Sequence, residues 1–185
     1  LSDEVMPCLN KNLRLEFTEL QEMGVKAEVK NLLGEVSVMD TLAQDFVQIR
    51  LSSASTLQMK RLPVAQGDSV LCVVKTFSAP EKESELHLYT QDWKALDASR
   101  LFDGKSIGEL AGSLVQKLDT MSESRFEELK AMIEPRMVSA LLLQHENAVV
   151  VRLSLPLLST EDKKLVNAIK LQRKFNWSGK SFKES

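Results

Sequence analysis

The stretch Asp68–Trp93 constrains the fold more than any other. It reads as an apolar strand over Ser69–Phe77, a charged turn at Glu81-Lys82-Glu83-Ser84, and a second strand over Glu85–Gln91. Val70–Val74 is apolar on both faces, which places the first strand near a sheet centre with cover on both sides. The second strand alternates Leu86 and Leu88 with Glu85, His87 and Tyr89, so it buries one face only.

Upstream, Pro7 interrupts the first segment, and Asn10 or Asn12 caps a helix running to about Met23. Leu13, Phe17 and Leu20 share one face of that helix, and Gly24 stops it. From Val25 the period shortens. Val25-Lys26-Ala27-Glu28-Val29, Val36–Leu42, Ala43–Leu51 and Thr56–Leu62 alternate between turns at Gly34 and Ser52–Ser55, and Pro63 ends the last of them. Connections this short imply antiparallel neighbours, hence a meander of about four or five strands.

Downstream the pattern becomes helical. Ser106-Ile107-Gly108-Glu109 has capping-box spacing, with Ile107, Leu110, Ala111, Leu114 and Leu118 as an apolar stripe. Ser124–Glu127 repeats the box and opens a helix that ends near Glu134, because Pro135 follows. Met137–Leu143 and Ala148–Leu155 form a second hairpin across His145-Glu146-Asn147. Ser159-Thr160-Glu161-Asp162 caps a helix to about Ile169, and Leu171–Trp177 pairs with Lys180–Phe182. Lys183–Ser185 is expected to fray.

Composition narrows the function. A net charge of −2 gives no field that favours nucleic acid or an anionic membrane. Aromatics make up only 5% and are not interleaved with Lys and Arg, which removes the single-stranded nucleic-acid reading. No apolar run approaches the roughly 18 residues of a transmembrane helix. Leu1 opens directly onto Ser2-Asp3-Glu4, so no signal peptide is read in the chain itself. Cys8 and Cys72 are too few for a disulfide framework or a zinc site; an unpaired Cys8 and a buried Cys72 are preferred over a single bridge.

The motifs that invite chemistry are weak. Gly104-Lys105-Ser106-Ile107-Gly108 matches a nucleophile elbow, but Leu101-Phe102 is too short for the strand that must precede one. Ser106 reads more simply as a helix cap between two permissive glycines. Two Gly-Lys-Ser tripeptides suggest a phosphate loop, yet Ser99 and Lys174 stand where its first Gly belongs. Glu85, His87 and Tyr89 share a strand face without a third metal ligand, and His145 is a turn residue. The expectation is therefore a protein that is not an enzyme, with no catalytic, cofactor-binding or metal residue.

A resemblance adds to this reading. The segments Pro7 with Asn12-Leu13-Arg14-Leu15, Val25–Val29, Leu57-Gln58-Met59, Cys72–Thr76, Trp93 and Phe175–Phe182 carry it. Together they resemble an uncharacterised family of small secreted proteins of Bacteroidales-type bacteria, a domain of unknown function. The resemblance implies a signal peptide removed before Leu1 and a periplasmic or outer-envelope location; it supplies no activity, cofactor or catalytic residue. It also draws attention to Asp-Ser/Thr-apolar tripeptides that can receive O-linked glycans, at Thr41, Ser69 and Thr120.

The expected fold is α+β and largely antiparallel, either one domain over 1–185 or two joined lobes, 1–99 and 100–185. The strands either join as one curved sheet of about eight with helices on one face, or form two smaller lobes each with its own sheet. The first order is similar to the periplasmic lipoprotein-carrier type, an analogy of fold alone. The leading function is non-catalytic binding of an apolar or amphiphilic molecule or lipid between sheet and helices, with seven Met available to line an adaptable cavity. The alternatives are an envelope protein–protein interaction or assembly module, and a serine hydrolase at Ser106.

Overall fold

The computed structural model describes residues 3–78, 80–133, 136–155, 157–170 and 172–185. Its fold is α+β, with two antiparallel sheets. Helix α1 (Lys11–Glu22) begins where Asn10 accepts the Leu13 amide at 3.0 Å. It ends in a Schellman turn: Gly24, at φ +69°, donates to Gln21, and Val25 donates to Leu20.

The meander then runs without a crossover through β1 (Glu28–Lys30), β2 (Val36–Leu42), β3 (Phe46–Arg50), β4 (Ser55–Leu62), β5 (Val70–Phe77), β6 (Glu83–Tyr89) and β7 (Ala95–Leu96). Strand β5 is interior to this sheet, and Cys72, Val73 and Val74 are fully buried from its two faces, as the two-faced apolar run requires. Strand β6 alternates exposed and buried residues.

A 3₁₀ helix (Gly108–Leu114), α2 (Glu123–Ala131), β8 (Met137–Leu142), β9 (Ala148–Ser154), α3 (Thr160–Val166), β10 (Gln172–Trp177) and β11 (Phe182–Glu184) complete the chain. The four strands form a separate sheet in the order β11-β10-β9-β8. The single curved sheet is thus not formed, and the arrangement with two sheets is the one observed. The reason lies at β8. Its free edge does not pair with the meander; it lies across the meander's face.

Two cores result. On one face of the meander, Phe17 of α1 and the preceding Val5, Met6 and Leu9 pack on Ile49, Leu57, Met59 and Val73. On the other, Cys72, Val74, Leu86 and Leu88 meet Ala140, Val149, Val151 and Phe175 of the second sheet. The helical layer supplies Leu110, Leu129, Ile133 and Val166 to that same core. Burying so much apolar side chain from both sheets at once is the main force holding them together.

Several local expectations need correction. The stripe 107–118 does not make one α-helix. It is a 3₁₀ helix to Leu114, after which Val115 turns extended and bridges Lys170, leaving Leu118 48% exposed. Gly108 and Gly112 weaken a helix here, and the bridge to Lys170 competes with its last turn. The next helix is capped by Ser122 rather than Ser124: its hydroxyl accepts the Arg125 amide, and Glu123 then stands in the first turn, where the helix dipole favours it. It ends at Ala131, with Met132 as its C-cap; the expected end residues Glu134-Pro135, and Leu171 as the expected first residue of a later strand, lie outside the described residues. The C-terminal residues do not fray. Phe182–Glu184 pairs with Phe175–Trp177, and Ser185 donates to Lys174 O and accepts from Asn176. Strand β7 had no signal beyond two apolar residues.

Candidate functional site

The second sheet stands with one edge on the meander, and side chains of the meander complete that edge. In β8 the amides of Ala140 and Leu142 point away from β9. Ser84 accepts the first at 2.9 Å, and Gln58 Oε1 accepts the second at 2.8 Å. Lys60, only 1% exposed, donates to Gln144 O at 2.8 Å and pairs with Asp45 at 3.1 Å. A β-strand edge carries unpaired donors and acceptors that must find partners when buried. Here polar side chains of β4 and β6 are those partners.

This junction divides the angle between the sheets into two sides. One side is the shared apolar core, where Leu110, Leu114, Leu129 and Ile133 of the helical layer are all nearly or fully buried. The other side opens to solvent as a cleft of about 250 Å³. Its meander wall presents Gln48, Thr56, Gln58, Thr76 and Ser78. Its opposite wall presents the outward face of β8 and β9, where Leu141 pairs with Val150 and Ser139 pairs with Arg152. Lys82 stands at the rim. Lys82, Ser139 and Arg152 also line an adjoining hollow of about 410 Å³ that reaches Lys170 and Gln172.

The chemistry of this cleft is graded. Leu141, 43% exposed, and Val150 give one end an apolar floor. One register step along the same strands, roughly 7 Å, the floor becomes Ser139 and Arg152. The meander wall is neutral throughout: Gln58 is held by Gln48 at 2.8 Å and Thr76 by Ser84 at 2.8 Å. The stretch from Gln48 to Arg152 has no carboxylate among its described lining residues.

The residues singled out by motif lie elsewhere and do not converge. Ser106 donates its hydroxyl to Glu109 Oε2 at 2.8 Å, and the same carboxylate accepts the Ser106 amide at 2.7 Å. Those two bonds lower the Glu109 pKa. This is a local turn. Only isolated bridges precede it, from Phe102 to Lys105 and to Phe182, so the strand of a nucleophile elbow is not assembled among the described residues. The second Gly-Lys-Ser closes the β10–β11 turn, where Gly179 has φ +90°. His87 and Glu85 approach at 3.5 Å on the exposed α1-side face of β6. No cluster of metal-ligating side chains occurs among the described residues. Cys8 belongs to the core on the α1 side and Cys72 to the core on the opposite face, so the sheet separates the two thiols and both are free. Burial raises both their pKa values. Of the three hydroxyls in glycan-acceptor tripeptides, Thr120 is exposed in a loop, while Thr41 and Ser69 are partly covered.

The model of the family described as "Protein of unknown function (DUF3256)" matches residues 1–182. The chain belongs to this family. Among solved structures, a domain of an uncharacterised protein from Porphyromonas gingivalis W83 is similar, with a TM-score of 0.80 at 19% identity. The match covers 100% of this chain and 93% of that one. At that identity the likeness concerns the fold. No curated protein matches the chain. No helix among the described residues is long and apolar enough to cross a membrane.

Sequence reading missed the cleft because its polar lining comes from five strands, β3, β4, β5, β8 and β9, each of which contributes only one or two residues that look like an ordinary solvent face. Gln58 had one available signal. It is a large amide in the alternating Leu57-Gln58-Met59 of an interior strand, where a buried polar group demands partners.

Proposed function

We propose that this is a non-catalytic binding protein of the cell envelope, whose ligand is amphiphilic and lies in the cleft between the two sheets. One observation carries the reading: the cleft changes within one register step from the apolar Leu141–Val150 pair to the Ser139–Arg152 pair. A ligand with an apolar and a polar end matches that gradient, and neutral hydroxyl and amide groups opposite can orient it. The space between the sheets and the helices, where the sequence first suggested a ligand, is filled by Leu110, Leu129, Ile133 and their neighbours, which favours the cleft. The absence of any assembled nucleophile or acid–base pair in the cleft's described lining supports binding without chemistry. The envelope location rests on the resemblance to secreted proteins.

Native mass spectrometry of protein purified from its own host tests the binding. A bound species released by solvent extraction is the expected result; bare protein that also ignores added short-chain amphiphiles rejects it. Fractionation of the host tests location, and recovery from the cytoplasm rejects an envelope role.

A second reading, a protein-interaction module, is favoured by one feature. Leu32 and Leu33, 59% and 75% exposed, project at the β1–β2 turn. Strand addition is a poorer route, because the outer strands β1 and β7 have three and two residues, and β11, of three, is bridged by Phe102. Reproducible capture of one envelope protein, lost in Leu33→Ser, would favour this reading over the first.

A further inference from the structure

We infer that the cationic end of the cleft, where Arg152 and Lys82 meet Lys170, is a subsite for an oxoanion (carboxylate or phosphate) carried on the amphiphile. The inference rests on the cleft reading and goes beyond it in naming the head group. Three observations support it. First, the register brings the groups together from separate elements. Arg152 lies directly opposite Ser139 on one side and Gln172 on the other, while Lys170 stands two residues before Gln172. Lys82, from the β5–β6 turn, closes the same space. The hollow is thus floored by a guanidinium, an ammonium, a hydroxyl and an amide, all donors.

Second, the charge is not neutralised from within. The carboxylate among the described lining residues is Glu81, and Lys163 of α3 forms an ion pair with it. Arg152, Lys82 and Lys170 form no ion pair with a described carboxylate. By contrast, Lys174, on the strand that carries Gln172, is paired with Glu146. In a chain of net charge −2, an uncompensated cationic hollow is a local arrangement and not part of a general basic surface.

Third, Lys170 is partly desolvated. Burial lowers its pKa; Glu81 opposes this, and the neighbouring Lys163 and Arg152 lower it further. An anion entering the hollow would relieve both the repulsion and the lost hydration, and it would find charge-assisted donors already in place. Arg152 can meet a carboxylate or phosphate through two parallel N–H donors, whereas Lys170 and Lys82 act as point charges.

The test compares four probes below their micelle concentrations by titration calorimetry: decyl phosphate, decanoate, neutral decyl glucoside and inorganic phosphate. Decyl phosphate and decanoate should bind roughly tenfold or more tightly than decyl glucoside, as a charge-assisted hydrogen bond implies. Arg152→Gln and Lys170→Gln should each weaken decyl phosphate and decanoate several-fold more than decyl glucoside, and so remove most of that preference. Lys180→Gln, at the far turn, should change nothing. Arg152 is exposed, so its variant keeps the test valid if Lys170→Gln fails to fold. Equal binding of charged and neutral decyl probes, unaffected by both variants, overturns the oxoanion subsite and leaves the amphiphile reading standing. Inorganic phosphate binding as tightly as decyl phosphate, and lost in the variants, supports the subsite and rejects an amphiphile as its source. Binding of none of the four overturns both.

Discussion

At the residue scale, a few polar side chains carry more of the fold than their number suggests. Asn31, 5% exposed, donates to Ser37 Oγ at 3.0 Å and Leu51 O at 2.9 Å, while its own oxygen accepts the amides of Leu33 and Glu35. The β1–β2 turn was legible at Gly34, but no local pattern marks Asn31, which ties that turn to the end of β3. Asn31→Ala should cost about 2–4 kcal/mol in denaturant unfolding, since it orphans several groups at once; a loss below about 0.5 kcal/mol would mean that water replaces it easily. Asp40 is held by Arg50 through bonds of 3.0 and 2.8 Å, which lowers its pKa from 3.8. Because the folded-state value lies below the unfolded one, the contribution is complete above about pH 3.8 and is lost as the pH falls through the folded value. Arg50→Gln should therefore narrow the stability gap to wild type as acid titrates Asp40. A gap that stays constant from pH 6 to about pH 2 would contradict this.

At the element scale, legibility followed periodicity. The helix over 11–22, the meander strands other than β7 and the 137–154 hairpin could be read from local pattern, although the meander has seven strands where about four or five were expected. The 3₁₀ helix could not. Its apolar spacing is helical, but the two glycines and the bridge from Val115 to Lys170 decide its form, and that bridge is a long-range contact. The junction at β8 was equally hidden, because Gln58 and Leu142 lie 84 residues apart. Gln58→Leu should destabilise by about 1–3 kcal/mol, the cost of leaving the Leu142 amide unpaired. The same change should speed hydrogen exchange at Leu142 more than at Val150, whose strand is interior to its sheet. Equal acceleration at both amides would indicate that Gln58 serves the whole fold and not this edge.

At the scale of the whole molecule, two sheets meet by edge on face, and that geometry makes both the core and the cleft. Apolar residues from the two sheets and the helical layer fill one side of the junction, and the other side stays open and polar. The fold class follows from the order of elements, whereas the site follows from how the sheets dock, which no single segment specifies. The decisive measurement is nuclear magnetic resonance mapping of decyl phosphate on the isotope-labelled protein. Progressive shifts are expected at Leu141, Val150, Ser139 and Arg152, with Leu110, Leu129 and Ile133 unmoved. Shifts confined to the helical layer, or to Leu32 and Leu33, would contradict binding in the cleft.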